Sequence, residues 1–505
     1  MRSAIRPLSV LLVSCASLAC GRVAGDGETR PSPTPDAAIV DSSSSDAASD
    51  AEEAAPSHDG GGDVRACLDG REDVARTDAA PTWARALYGG YYARAAGIAA
   101  DGSGRAIVFL QGGDPDLGDA GDFGRSHYNL VVGSVDPATG VTEPRVLVDN
   151  VFEVVGPQGH PFAVGVDGTI AMLLLRGALA KISIGIGAEA PRDFDAAAGE
   201  PLLVVIPPDP TKLWAARLPG AYAVGVGPGP DPTIAVLGNL DRAQALGGVE
   251  LVPTPSESAY AVSFEAGVVR WARALPGHPR SNVAIGADGL TAAVTFEGHH
   301  VDSTPGDSLS DVGDLHVLEL GRDGSVHADA RGPGERVYSD FDTPIVQFDA
   351  AGALLVVGGF SGTLRLGALS VTAHCIGNDL FLATVRDGAL ADLVKIETDD
   401  IESVGSVSVV GSGLVLGGTR MCLGHHPLVD GRCGSCAFVT RVTRDGTRLF
   451  DEHWGPSCQA FAATVAGGPT ILAGSIDGTI KFGSTTLAAP GPFNSAAFLV
   501  SVPTP

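Results

Sequence analysis

A Trp-led phrase is written three times along the chain, as WARALYG at 83–89, WAARLPG at 214–220 and WARALPG at 271–277. Its proline keeps a beat: Pro219, Pro276 and Pro333 are 57 residues apart, twice over. Pro456 stands about two further units on, and Tyr88 takes the proline's place about two units before Pro219. A second landmark is an apolar run, a two-residue turn and another apolar run. It reads DLHVLELGRDGSVHADARG from 314, DLFLATVRDGALADLVKIET from 379 and CAFVTRVTRDGTRLFDEHWG from 436, and ends as AAFLVSV from 496. A third pairs AAGALLVVGGFSGTLRLGALSV at 350–371 with GGPTILAGSIDGTIKFGSTTL at 467–487. Self-similarity at this period signals a solenoid, propeller or array, in which each unit buries its apolar face on a neighbour.

The runs are short, rich in Val, Leu, Ile and Phe, and broken by Gly, Pro and Asp, with no helical period. That pattern predicts antiparallel β-structure throughout. About four strands per unit is the content of one propeller blade. Runs such as LLVV and LVLGG are apolar on both faces, which suits blades covered on both sides. The units are about 90–149, 150–218, 219–275, 276–332, 333–398, 399–455 and 456–505, with the second the poorest match. The last is short, and WARALYG at 83–89 has no unit of its own. The expectation is an all-β propeller of seven four-stranded blades, with six or eight as the alternatives, in which 83–89 closes the last blade and removes both open sheet edges.

Asp101-Gly-Ser-Gly104, Val357-Gly358-Gly359-Phe360-Ser361-Gly362-Thr363 and Asp379-Leu380-Phe381 resemble the repeats of bacterial β-propeller lipoproteins of the SBBP type. The resemblance covers about 83–505 and is strongest from 333 onward. It implies the propeller fold, and it carries no catalytic residues, since that family shares none.

The N-terminus reads as an address. MRSAIR precedes the apolar run PLSVLLVSCASLA, which is shorter than the ~20 residues a membrane-spanning helix needs. Ser17-Leu18-Ala19-Cys20 resembles the lipobox of bacterial lipoproteins, which implies a signal peptide over 1–19 and a lipid on Cys20. A site at Cys15 competes, but leaves a very short apolar run and an odd number of other cysteines. Gly21, rather than Asp, implies the outer membrane by the same resemblance. Residues 20–66 are dominated by Pro, Ser, Ala, Asp and Gly. Such a segment cannot bury enough apolar surface to offset its ordering entropy, so it reads as a disordered tether before a folded body over 67–505.

Two segments suggest chemistry. CLGHHPLVDGRCGSC, 422–436, sets Cys422, His425, Cys433 and Cys436 at spacings that resemble zinc knuckles. In an exported chain the same cysteines favour disulfides, with Cys67, Cys375, Cys422, Cys433, Cys436 and Cys458 as the six candidates, their connectivity open. GGDPDLGDAGDFG, 112–124, places Asp114, Asp116, Asp119 and Asp122 on one segment. Ca²⁺ takes six to eight oxygens from such loops, yet the regular D-x-D-x-D-G spacing is missing, and a solvated acidic loop is the preferred reading. The pairs His299-His300 and His425-His426 fall at different places in the repeat and define no common site.

No nucleophile elbow, zinc-protease, phosphate-loop or dinucleotide signature occurs. A net charge of −26 argues against nucleic acid, whose affinity rests on basic residues. Lys is scarce beside Arg, a bias of GC-rich coding rather than of a binding surface. The expectation is a monomeric, non-enzymatic, lipid-anchored envelope protein whose propeller binds a protein or a polysaccharide, with no cofactor. A propeller enzyme of glycosidase, lyase or quinone-dependent dehydrogenase type, or an abundant coat protein, are the alternatives.

Overall fold

The computed structural model describes residues 81–503 apart from several connecting segments, the longest of them 114–127, 302–309 and 422–434. The chain divides into two units, 1–61 and 62–505. The first unit, and with it most of the expected tether, lies outside the described residues.

The described residues are strands almost throughout, with one 3₁₀ turn at Pro210–Lys212. They make a seven-bladed β-propeller. Blade 3 shows the plan: Ala221–Val226, Ile234–Asn239, Ala259–Glu265 and Val268–Leu275 pair in order as an antiparallel meander. The innermost strands of the seven blades are Ala93–Ala100, Phe162–Val164, Ala221–Val226, Ala284–Ile285, Ile345–Phe348, Glu402–Val410 and Gln459–Thr464. Each lies beside the next, and the seventh lies beside the first, so the ring is closed. Trp83–Leu87 pairs antiparallel with Ala496–Val502, Trp83 opposite Ser501 and Leu87 opposite Ala497. The strand written before the first blade is thus the outermost strand of the last.

Seven apolar clusters hold the ring, one at each junction between neighbouring blades. The run LLVV of blade 2 shows why both strand faces are apolar. Leu202 and Val204 face blade 1, while Leu203 and Val205 face blade 3. Each such side chain contributes about 1.5–3 kcal/mol on burial.

Two departures from the regular plan explain what the repeat blurred. Within the second unit, Lys181–Ile186 and Arg192–Asp195 form a hairpin that leaves its own blade and adds to the outer edge of blade 1, Val146 opposite Ile186. Blades 4 and 5 are joined. The long strands Val326–Tyr338 and Leu354–Leu366 overrun their blades and pair with each other, Gly334 opposite Leu364 and Arg336 opposite Ser361.

The repeated Trp phrase is a blade-to-blade latch. Trp83 of blade 7 lies on Gly140 in the turn between the third and fourth strands of blade 1, and its Nε1 donates to the carbonyl of Pro137 at 2.9 Å. Trp214 of blade 2 lies on Gly267 of blade 3, and Trp271 of blade 3 on Gly324 of blade 4. A Cβ on Gly324 would come within 2.8 Å of the Trp271 ring, and Gly324 has a φ of +78°, so only glycine suits that position. His327 on Gly388 repeats the placement without an indole, and at Gly446 the backbone carbonyl of Lys395 takes that place. Trp454 is the exception: it ends its strand and meets Phe482 of blade 7 at 5.3 Å.

Candidate functional site

Antiparallel blades around a closed ring give the molecule two unlike rims. The connections between first and second strands, and between third and fourth, emerge on one of them. There the chain turns within seven residues at every blade: 101–105, 165–169, 227–233, 286–290, 349–353, 411–412 and 465–469 for the first kind. The connections between second and third strands emerge on the opposite rim. They are 114–127, 177–201, 240–258, 302–309, 367–378, 422–434 and 477–495. Every insertion between these strands therefore departs from one rim, and one of them, the hairpin 181–195, folds onto the outer edge of blade 1.

The tight rim is built by aspartates. Asp101 Oδ1 accepts from the backbone N–H groups of Ser103 at 2.9 Å and Arg105 at 3.0 Å, and Asp349 does the same for Ala351 and Ala353. The Ser325 hydroxyl and then its N–H hold the Asp323 carboxyl below the usual carboxylate range, and Asp445 is lowered first by the Thr443 hydroxyl. The D-x-x-G turns of Asp101 and Asp349 and the D-G turns of Asp323 and Asp445 fix the backbone. They also bridge blades: Arg444 of blade 6 reaches Asp349 of blade 5 at 3.2 Å. A groove of about 200 Å³ opens on this rim between blades 3 and 4, beside Arg270, Arg322 and Glu265.

The elaborated rim surrounds the end of the channel at which the innermost strands begin, and there polar residues stand on otherwise apolar strands. Arg94 donates to Gln111 Oε1 through Nε at 3.0 Å and Nη2 at 2.6 Å. Tyr222 of blade 3 shares a hydrogen bond with Thr343, at the start of blade 5, and lies near Arg280 of blade 4. Burial pushes the Tyr222 phenol up, against the Thr343 hydrogen bond and the Arg280 charge. Asn282 takes a backbone partner's place: its Nδ2 donates to the Val346 carbonyl at 2.9 Å and its Oδ1 accepts from Val346 N–H at 2.6 Å. The His160 carbonyl accepts from Val224 N–H at 3.0 Å; the His160 Nε2 finds no hydrogen-bond partner among the described residues, and burial pulls the imidazole pKa down to about 4. Three successive blades thus meet through Tyr222, Arg280 and Thr343, residues far apart in sequence and without a spacing that could announce them.

Most residues singled out from sequence lie outside the described residues. These are Cys20, Cys67, Cys375, Cys422, His425, Cys433, Cys458, Asp114, Asp116, Asp119 and Asp122. The strand ends that bracket the acidic segment, Gly113 and Tyr128, stand on the elaborated rim, as do Met421 and Ser435, which bracket most of the cysteine segment. Cys436 is described: it is buried opposite Arg420 and is disulfide-bonded, with its partner outside the described residues. Among the described residues, no three of His, Cys, Asp and Glu are grouped as a metal site would need, and no helix is long and apolar enough to cross a membrane.

Blade 4 buries a histidine between two partly exposed carboxylates. His316, on the third strand of blade 4, is 2% exposed between carboxylates from both flanking strands. Its Nδ1 lies 3.1 Å from Asp329 and its Nε2 3.3 Å from Glu297, the second contact off hydrogen-bond geometry. The Asp329 hydrogen bond, with both negative charges, raises the imidazole pKa against the opposing effect of burial.

No family model matches the chain, and no curated protein matches it in sequence. Solved structures do align with it. The Dos1 propeller is 9% identical with a TM-score of 0.40, over 83% of this chain and 94% of its own. Hydrazine synthase of Kuenenia stuttgartiensis is 12% identical with a TM-score of 0.38, over 83% and 99%. BamB from Moraxella catarrhalis is 10% identical with a TM-score of 0.31, over 70% and 99%. Each of these three aligns with a TM-score below 0.5 and lends this chain no activity. The chain is a propeller-repeat protein, and its own two rims are what speak to its use.

Proposed function

We propose that this chain is a lipid-anchored envelope protein, held at the outer membrane through Cys20, whose propeller binds a protein or a polysaccharide without catalysing a reaction. The observation that carries the reading is the rim asymmetry. Seven blades keep their turns tight on one side and spend every insertion on the other, and recognition is carried by loops set on a rigid scaffold. The polar groups at the channel mouth favour binding over catalysis. Tyr222, with its raised pKa, keeps its proton at neutral pH and supplies no general base. Residues such as Tyr and Arg are what binding surfaces use.

The test is a photo-crosslinking amino acid placed at Val252 on the elaborated rim, or at Val166 on the tight rim, in the producing cell. These side chains are 55% and 59% exposed, so both sites offer the probe comparable access. A discrete adduct from the Val252 position alone is the expected result. Adducts from Val166 alone, or from neither, would refute the rim assignment. Fractionation of a Cys20→Ser variant tests the anchor separately, with release from the membrane expected.

A further inference from the structure

We infer that the groove on the tight rim between blades 3 and 4 is a binding site for a small carboxylate with a hydroxylated body, such as a sugar acid. The groove stands apart from the elaborated rim, so the inference goes beyond the proposed function and does not rest on it.

The repeat supplies the first observation. Where blades 5 and 6 meet, an Arg-Asp-Gly turn grips a carboxylate: Arg444 Nη2 of blade 6 lies 3.2 Å from Asp349 Oδ2, at the first turn of blade 5. Both residues have counterparts two blades back. Arg322-Asp323-Gly324 of blade 4 turns as Arg444-Asp445-Gly446 does, the glycine N–H donating in each to the carbonyl just before the arginine. Asp349 N–H closes its turn on the Ala353 carbonyl at 2.9 Å, and Gly227 N–H of blade 3 closes its own on Thr233 at 2.8 Å. Blade 3 thus has glycine where blade 5 has the gripped aspartate, and the groove opens there, with Gly227 and Arg322 both in its walls. Where blades 4 and 5 meet, the same place belongs to Gly286, and the Phe348 ring covers it, 3.4 Å from where a Cβ would lie. Ile285, which lies over Gly227 in the same way, is smaller than phenylalanine and leaves the groove open.

The walls supply the second observation. Arg270 of blade 3 adds another guanidinium. Each is fixed through Nε, Arg270 on Glu265 Oε2 at 2.8 Å and Arg322 on the Asp288 carbonyl, and among the described residues their Nη groups meet no acceptor. Such a planar fork matches a carboxylate. Glu265 is the one acid in the walls among the described residues, while the Asp288 carboxylate is engaged with Leu290 N–H of its own turn at 3.1 Å. Ser263 is 2% exposed and alternates with Val262 and Phe264, which pack toward blade 2, so it faces the groove and blade 4. Its hydroxyl and the Glu265 carboxylate suit the hydroxyl groups of a ligand. The groove holds about 200 Å³, below the roughly 300–1,000 Å³ of sites for drug-sized ligands, so the ligand is small.

The experiment is isothermal titration of the full-length chain with glucuronate, with glucose and inorganic phosphate in parallel. One glucuronate should bind per chain, and glucose should not bind. Arg322→Gln removes the fork at an exposed position, and Gly227→Asp brings the repeat's own carboxylate into the groove. Each should weaken glucuronate binding about tenfold or more, the loss expected for one charge-assisted hydrogen bond. No binding of glucuronate, equal binding of glucose, or glucuronate binding that either variant leaves unchanged would overturn the inference. Phosphate binding where glucuronate does not bind would overturn it too, since the carboxylate is what the repeat points to.

Discussion

At the scale of single residues, the latch between blades is an indole lying on a glycine. Trp271 is 8% exposed under the turn of Gly324. Trp271→Ala should cost about 3–5 kcal/mol, the usual loss for removing a large aromatic from a packed site. Gly324→Ala should also destabilise, because its Cβ meets the ring at 2.8 Å and φ is +78°. Gly352 separates the two causes. It has a φ of +84° with nothing within 4 Å, so Gly352→Ala carries backbone strain alone, about 1 kcal/mol. Urea unfolding of the three variants checks the ordering; equal costs for the two glycine variants would remove the latch as an energetic feature.

At the scale of elements, blade 4 carries a pH dependence through His316. The folded His316 pKa is raised by Asp329 and Glu297, so the folded state holds the proton more tightly than the unfolded chain does. The stabilisation is complete below the unfolded value of about 6.5 and is lost as pH rises through the raised folded value. The melting difference between pH 6 and pH 8 should therefore shift in His316→Gln toward lower stability at pH 6, while His160, whose pKa is pulled down, contributes with the opposite sign in both chains. A difference unchanged in the variant would assign it to other groups. Much at this scale was legible in the sequence, namely the four-stranded unit, the turns and the closing strand, because each is a local pattern repeated at a fixed distance. The hairpin 181–195 was not, since it adds to another blade and so dilutes the second unit. Nor was the Tyr222–Thr343 contact, whose partners sit in different repeats and share no spacing. His316 was equally hidden: in DLHVLEL it reads as one polar residue on a strand, and only pairing with both flanking strands brings in Glu297 and Asp329.

At the scale of the whole molecule, closure is what Trp83–Leu87 provides. A chain starting at residue 81 is the reference for the comparison. A chain starting at residue 89 leaves Ala496–Val502 as an open edge, which pairs readily with other chains. It should melt lower and elute from a sizing column as associated species, and a monomer of unchanged melting point would show that the ring closes without it.

The two rims also differ in what mutation can do to them. On the tight side a turn is gripped by its own aspartate and, at several blades, by a residue from the blade beside it, so adding or deleting a residue there disturbs two repeats at once. On the other side a strand can simply run on, as in blades 4 and 5, or a hairpin can be let out, as in blade 2. Inheritance has one soft side to write on, and descendants of this ring should differ in length along that side while keeping the count of the other.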